Sequence, residues 1–278
     1  MNKNRIVILG SKGFVAEDLI FLLKKKKLFY KSFSKKKINL ENDNSYVKLK
    51  KEILSKDKIV FISAKAPVKN NYMFVQNLKI VINVVKSLIN KRFSQLIYIS
   101  SDAVYKDTKK KITEKSECYP NSLHGNMHLI REKILEYYFR DRLCILRPTL
   151  IYGKRDPHNG YGPNSFLRLV EKKKNISLFG KGEEMRDHIF INDVSKIILF
   201  CLKNNVKGIL NLASGRIIKF LDIATLCIKK NSFNSKIKFI RRNGPPPHLG
   251  HREFNIKKLK KTLKDFKFNE LNNYIKNY

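Results

Sequence analysis

The 278-residue chain predicts an α/β fold: a doubly wound parallel sheet followed by a small C-terminal domain. Three observations lead there. Short apolar runs alternate with amphipathic stretches from Arg5 to Leu146. A glycine-containing turn joins the first run to the first amphipathic stretch. After Pro148 the pattern breaks into segments punctuated by Gly and Pro. Strands separated by helices of this length form β-α-β units, whose right-handed crossovers make the sheet parallel.

Arg5 to Leu9 is a short β-rich run, and Phe14 to Leu23 is the amphipathic stretch that follows. Leu28 to Phe33 reads as a second strand. Lys58 to Ala64 is a third, its apolar run suited to a strand covered on both faces. From Asn70 to Ile89, Phe74, Leu78, Val81, Val85 and Leu88 recur at helical intervals. Gln95 to Ser100 is a strand, Leu123 to Phe139 a helix and Leu143 to Leu146 a strand. Gly153, Pro157, Gly160, Gly162 and Pro163 mark residues 152 to 164 as a loop; Gly180, Gly182, Gly215 and the 244–247 run mark others. The helix from Asn192 to Lys203 and the strand near Leu210 are expected to return to the sheet. The expected domains are 1–165, with 191–214 returning to it, and 166–190 with 215–278.

Composition removes several function classes. Hydrophobic residues are 42% and aromatic residues 11%, enough for a sizeable core, so wholesale disorder is excluded. Runs such as Ile59 to Ala64 and Ile197 to Leu202 are far shorter than the roughly 20 residues that span a bilayer. The N-terminal residues carry no apolar leader, and Cys118, Cys144, Cys201 and Cys227 form no C-x-x-C pair. A cytoplasmic protein with reduced thiols is expected. The net charge of +36 comes from 46 Lys and 13 Arg against 23 acids, beside 27 Asn. Lys and Asn share A-rich codons, and the runs Lys24–Lys27, Lys35–Lys37, Lys109–Lys111 and Lys172–Lys174 are scattered. They read as solvated faces that attract anions, not as a nucleic-acid arm.

Gly10-Ser11-Lys12-Gly13-Phe14-Val15-Ala16 lies between the first strand and the first helix. A strand that enters a helix through small residues brings backbone N–H groups and the helix dipole to a pyrophosphate. This is the Rossmann-like arrangement, and it predicts a dinucleotide on Gly10, Ser11, Lys12, Gly13, Phe14 and Val15. NAD sites place an acid at the end of the second strand. Here the segment is Phe33-Ser34-Lys35-Lys36-Lys37, and no acid follows until Glu41. With Lys12, these residues favour the 2′-phosphate of NADP over NAD, with contacts from Ser34 and Lys35.

Taken with that turn, five further motifs in order resemble the extended short-chain dehydrogenase/reductase family of nucleotide-sugar epimerases and dehydratases. Residues 62–66 (Ile-Ser-Ala-Lys-Ala) resemble the segment that passes under the cofactor. Residues 98–105 (Tyr-Ile-Ser-Ser-Asp-Ala-Val-Tyr) resemble the S-S/T-x-x-V-Y segment, whose second hydroxyl meets the substrate's reacting oxygen. Arg147-Pro148-Thr149 with Tyr152-Gly153 is similar to R-P-x-x-x-Y-G. Gly180-Lys181-Gly182, Arg186-Asp187 and Asn192-Asp193-Val194 are similar to G-x-G…R-D…V-D-D-V, and residues 211–215 resemble a returning strand. The resemblance implies NAD(P) contacts from Ser63, Ala64, Lys65, Ser100, His128 and Pro148. It implies substrate contacts from Ser101, Asn164, Arg186 and Arg252, with Arg186 on the nucleotide diphosphate.

The family's Y-x-x-x-K is absent. Anchored on Arg131-Glu132, its Tyr and Lys positions hold His124 and His128. Imidazole replaces phenol as a proton-transfer group with an ordinary pKa of about 6.5 against about 10. Two His at i, i+4 are also a metal pair, but Gly125 stands where H-E-x-x-H requires Glu, so no metal is expected. Relatives that eliminate water use an Asp-Glu pair where this chain has Asp102-Ala103, which disfavours dehydration. Ser101, Asp102, His124 and His128 are the expected catalytic residues. The resulting expectation is an NAD(P)-dependent epimerase-like enzyme acting on a nucleotide-diphosphate sugar through a keto intermediate. A 4-keto reductase and a cofactor-binding protein with a degenerate site are the alternatives. No membrane partner is expected, and a homodimer is compatible.

Overall fold

Gly10 closes the first strand of a parallel sheet, and the rest of the first half is built outward from that strand. In the computed structural model, which describes residues 5–157, 159–230 and 235–278, the chain divides into two compact units. The first comprises the chain through Lys106, with Ser116–Pro148 and Val194–Leu210. The second comprises Asp107–Lys115, Thr149–Asp193 and Asn211–Tyr278.

In the first unit β1 (Ile6–Leu9), α1 (Phe14–Lys25), β2 (Tyr30–Phe33), α2 (Ser45–Glu52), β3 (Lys58–Phe61), α3 (Asn71–Leu88), β4 (Gln95–Ile99), α4 (Leu123–Phe139) and β5 (Leu143–Pro148) follow in order. With β9 (Gly208–Leu212), five of these make a six-stranded sheet in the order β2-β1-β3-β4-β5-β9. Ile6 pairs with both Tyr30 and Lys58, and Leu9 with both Phe33 and Phe61, all in parallel register. The chain steps to one side of β1 for β2 and to the other for β3. That reversal opens a crevice at the carboxyl ends of β1 and β3. Val7, Leu9, Phe61, Leu96 and Tyr98 from the strands are buried with Val81, Val84, Leu135 and Phe139 from the helices.

α6 (Ile191–Lys203) feeds β9, and its end is tied to the sheet by Gln95 Nε2, which donates to Cys201 O at 3.2 Å and Val206 O at 2.7 Å. Lys58 Nζ donates to Leu202 O. The α/β doubly wound fold is the one the periodicity predicts. α2 lies outside that prediction, because Ser45 and Leu49 are its buried positions and so short a stripe leaves no readable period.

The second unit is organised around β8 (Met185–Phe190). It pairs antiparallel with β10 (Ile217–Lys219) and parallel with both β6 (Leu150–Tyr152) and β12 (His251–Arg252). β7 (Ile176–Phe179) pairs with β11 (Ile237–Ile240). α5 (Pro163–Glu171), α7 (Phe220–Lys230), α8 (Lys257–Leu263) and α9 (Leu271–Lys276) complete it, with Phe166, Val170, Leu178, Phe220, Ile223 and Ile275 in the core. Asp187 accepts from Ser214 N, Ser214 Oγ and Gly215 N, each at 2.8 Å, while burial pushes its carboxyl up to about 7.

Several expected boundaries move: Asp107–Lys115 belongs to the second unit, and the returning segment is Val194–Leu210 rather than 191–214. The first domain ends at Pro148 rather than 165, because β6 pairs with β8 and draws the following segment into the second unit. The segment read as a 152–164 loop begins within β6 and ends within α5, for the same reason. Residues 1–4, 158 and 231–234 of the expected domains lie outside the described residues.

Candidate active site

The turn after β1 is built around a missing side chain. Gly10 has φ +98°, and a Cβ there would lie 2.7 Å from Ser63 N and Oγ, which no other residue tolerates. That contact seats the segment after β3 directly against the turn. Gly13 then donates to Gly10 O at 3.2 Å and starts α1, and among the described residues no side chain caps this helix. Its first N–H groups are therefore open to a ligand, and buried Ala16 lets the helix lie close on the sheet. A cleft of about 300 Å³ follows, with Gly10, Lys12, Gly13, Lys35, Ser63, Ala64 and Lys65 in its wall. Seven of the expected cofactor residues thus come together. The bare glycine turn beside an open helix N-terminus fits a dinucleotide pyrophosphate, which Gly10, Gly13 and the N–H groups of Phe14 and Val15 would hold.

Ser11, Phe14, Val15 and Ser34 flank this wall without lining it. Ser11 N donates to Phe33 O at 3.1 Å, and Ser34 O accepts from Lys37 N and Ile38 N to close the turn after β2. Pro148 ends β5. Ser100 and His128 are turned to other work. Ser100 Oγ donates to Glu132 Oε1 at 2.5 Å, and Glu132 is held by Arg147 at 2.5 and 2.9 Å. All three are buried, and the paired carboxylate commits the Ser100 hydroxyl to the interior. His128 is 5% exposed, with Nδ1 2.7 Å from the Tyr98 hydroxyl. Burial, then His124 and Arg131, hold its pKa well below the ordinary imidazole value, so it is neutral. It does not supply the cation of the Lys that the Y-x-x-x-K pattern would place here.

Ser101 and His124 belong to two elements that are forced together. Ser101 caps the 3-10 turn Asp102–Val104, accepting from Ala103 N at 3.1 Å and lying 3.5 Å from Asp102 Oδ1. α4 begins against that turn. A Cβ on Gly125 would sit 2.1 Å from Ala103 O and 2.6 Å from Pro120 Cβ. Gly125 therefore fixes the first turn of α4, capped by Ser122 Oγ, onto the Ser101 turn. His124 is half-buried there, its ring 4.8 Å from that of His128 and perpendicular to it. One turn further on, the fully buried Arg131 stacks on Phe61 at 4.5 Å and Tyr98 at 5.1 Å, and donates to Ser63 O at 2.7 Å. α4 is thus bonded to the segment that lines the cofactor cleft.

In the second unit, Arg186 of β8 and Arg252 of β12 are register partners. β12 has only two residues, too few for the sequence to show the pairing. Arg186 is buried, donating to Glu184 Oε2 at 2.8 Å and Pro247 O at 2.5 Å. Arg242 also bonds Glu184. Arg252 lies 3.1 Å from Asp107 Oδ1, and Asp107 accepts from His248 at 2.6 Å. Asn164 is a loop brace, accepting from Gly153 N at 3.0 Å and donating to Asp156 at 2.9 Å. A separate cleft of about 910 Å³, with His188, Phe190 and Tyr274 in its wall, includes none of these three. Tyr98, Gly125, Arg131 and Glu132 are the residues that sequence reasoning did not assign.

A model of the NAD dependent epimerase/dehydratase family matches residues 6–213. Among solved structures, the chain is similar to a UDP-glucose 4-epimerase of Thermus thermophilus in complex with NAD, at 18% identity and TM-score 0.84, over 98% of this chain and 96% of that one. It is similar to an ADP-L-glycero-D-manno-heptose-6-epimerase of Helicobacter pylori at 20% identity and TM-score 0.81, over 99% and 95%. A GDP-L-fucose synthetase of Naegleria fowleri bound to NADP matches at 12% identity and TM-score 0.83, over 99% and 91%.

Proposed function

The chain belongs to the NAD dependent epimerase/dehydratase family, and on that premise we propose an NAD(P)-dependent, epimerase-like enzyme for a nucleotide-diphosphate sugar, with His124 as its proton carrier. Bound NAD(P) supplies the acceptance and return of a hydride. His124 takes the hydroxyl proton as the sugar alcohol becomes a ketone, and gives it back when the ketone is reduced on its opposite face. Ser101 holds the reacting oxygen, with Asp102 beside its hydroxyl. Arg186 and Arg252 are assigned to the diphosphate and Asn164 to the substrate side, because paired guanidiniums suit phosphate oxygens.

The observation that carries this reading is Gly125, which seats His124 on the Ser101 turn. The neutral His128 fits it. A phenol needs a nearby cation to depress its pKa, whereas a cation beside an imidazole opposes its protonation. Replacing Tyr by His is therefore matched by replacing Lys with a neutral group. The same residues also support reduction of a sugar that arrives as a ketone. Tyr72, Val75 and Ile82 are exposed apolar residues of α3, and they support a homodimer. Among the described residues no helix is long and apolar enough to cross a membrane.

The test is mass spectrometry of nucleotides that co-purify with the protein, followed by assay of the sugar nucleotides found. Formation of an epimer or a reduced product by the wild type, and its loss in His124→Phe, is the expected result. Equal turnover in the two proteins removes His124 from the mechanism. A bound dinucleotide without turnover of any co-purified sugar nucleotide assigns the degenerate site instead.

A further inference from the structure

The cofactor cleft holds an anion of its own. β2 ends at Phe33, and the chain turns back so that Glu41 joins the wall that also contains Gly10, Gly13, Lys35 and Lys65. Three segments converge on its carboxylate. Lys35 Nζ donates to Oε1 at 2.8 Å, Lys65 Nζ lies 3.1 Å from Oε2, and Gln76 Nε2 of α3 donates to Oε2 at 3.0 Å. Gln76 is itself set by Lys65, which donates to its Oε1 at 2.8 Å. The Glu41 side chain is 14% exposed. Burial alone would raise its pKa, but Lys35 and Lys65 reverse that and hold the carboxyl below its ordinary value.

Two ammonium groups and an amide N–H, brought from the loop after β2, the loop after β3 and α3, form a receptor for a compact anion. We propose that Glu41 occupies, as an internal anion, the subsite for the 2′-phosphate of NADP, and that NADP binds by displacing it from Lys35 and Lys65. The proposal rests on the reading of the cleft as a dinucleotide cradle. The charges agree with it. Three lysines, Lys12, Lys35 and Lys65, outweigh the single carboxylate of Glu41 in the cleft wall, and a phosphate monoester carries about −1.5 to −2 at pH 7. NAD has a neutral hydroxyl at that position and no anion with which to displace the carboxylate. Glu41 therefore acts as a brake on NADP alone.

Calorimetry of wild type, Glu41→Gln, Lys35→Ala and Lys65→Ala with NADP, NAD and 2′-AMP tests it. Glu41→Gln should tighten NADP and 2′-AMP by about tenfold and leave NAD within about twofold. Each lysine variant should weaken NADP by about tenfold and spare NAD. Weaker NAD binding in Glu41→Gln, with NADP no tighter, assigns Glu41 to the ribose hydroxyls and overturns the proposal. Equal tightening of both dinucleotides, or no change in either, overturns it too. A wild type that binds neither dinucleotide refutes the cradle itself, which is a separate failure.

Discussion

The turn after β1 and the first turns of α4 are both closed over a glycine that has no room for a side chain, yet they serve opposite purposes. At Gly10 the missing Cβ brings the main chain of residue 63 against the turn, and what faces the ligand is backbone. At Gly125 the missing Cβ lets a helix settle on Ala103 O, and what is positioned is the first turn of α4, which carries His124. The first region needs only amide groups and a dipole, which almost any neighbouring residues leave intact. In the proposed reaction the second depends on a side chain, that of His124, on a helix whose next turns carry the buried Ser100–Glu132–Arg147 bonds. Backbone sites constrain which atoms are absent, whereas side-chain sites can exchange their chemistry while the scaffold stays in place.

The sharpest break of that comparison is His124→Phe. It should reduce turnover by about 10²–10⁴-fold, the usual span for a proton-transfer group, while NADP affinity measured by calorimetry stays unchanged. Arg147→Ala comes next. It leaves Glu132 charged and buried without its partner and should destabilise the protein by about 3–5 kcal/mol in urea titration. A loss below about 1 kcal/mol would mean the second region does not depend on this pair.

Gly10→Ala against Gly13→Ala sharpens the first region. Gly10→Ala meets both positive φ and the 2.7 Å approach to residue 63, and should cost about 1–3 kcal/mol or more. Gly13 has φ −83°, and its Cβ would meet Gly10 O at an ordinary 3.5 Å, so its cost should stay within about 1 kcal/mol. Equal losses would deny the turn its steric basis.

The smallest effect is on acid stability. His128, and His188 at about 3, have folded pKa values below the unfolded value of about 6.5. The unfolded chain therefore binds more protons in acid. The stability these two histidines contribute is full above about pH 6.5 and falls by at most about 1.4 kcal/mol per pH unit for each as the pH drops. Melting curves from pH 7 to 5 should show a shallower decline in His128→Gln than in wild type. An unchanged decline would place the acid sensitivity elsewhere.

The sheet and its cleft were legible because their signals are local. The alternation of strand and helix repeats along the chain, and the residues from Gly10 to Ala16 are contiguous. Ser101 could be singled out by the motif it lies in, and His124 only by counting back from Arg131-Glu132 to a motif whose own residues are absent. What sequence reading missed depends on distant partners. Glu41 meets Lys65, Tyr98 meets His128, and Arg186 meets Arg252, none of them linked by a period or a spacing. Gly125 was read only as the residue that excludes a metal motif. Its approach to Ala103 exists only once α4 is laid on the sheet.

The pairing of Arg186 with Arg252 has a consequence for local motion. β12 is two residues long, and its Arg252 stands in register with Arg186, each guanidinium already held by a carboxylate, Asp107 for one and Glu184 for the other. Short strands with few main-chain bonds open at low free energy, and their amide protons exchange early. A dianion that drew both arginines from those carboxylates would act as a clasp on the strand. The amides of His251 and Arg252 would then be the place to watch a nucleotide diphosphate arrive, as slowed exchange confined to one short segment.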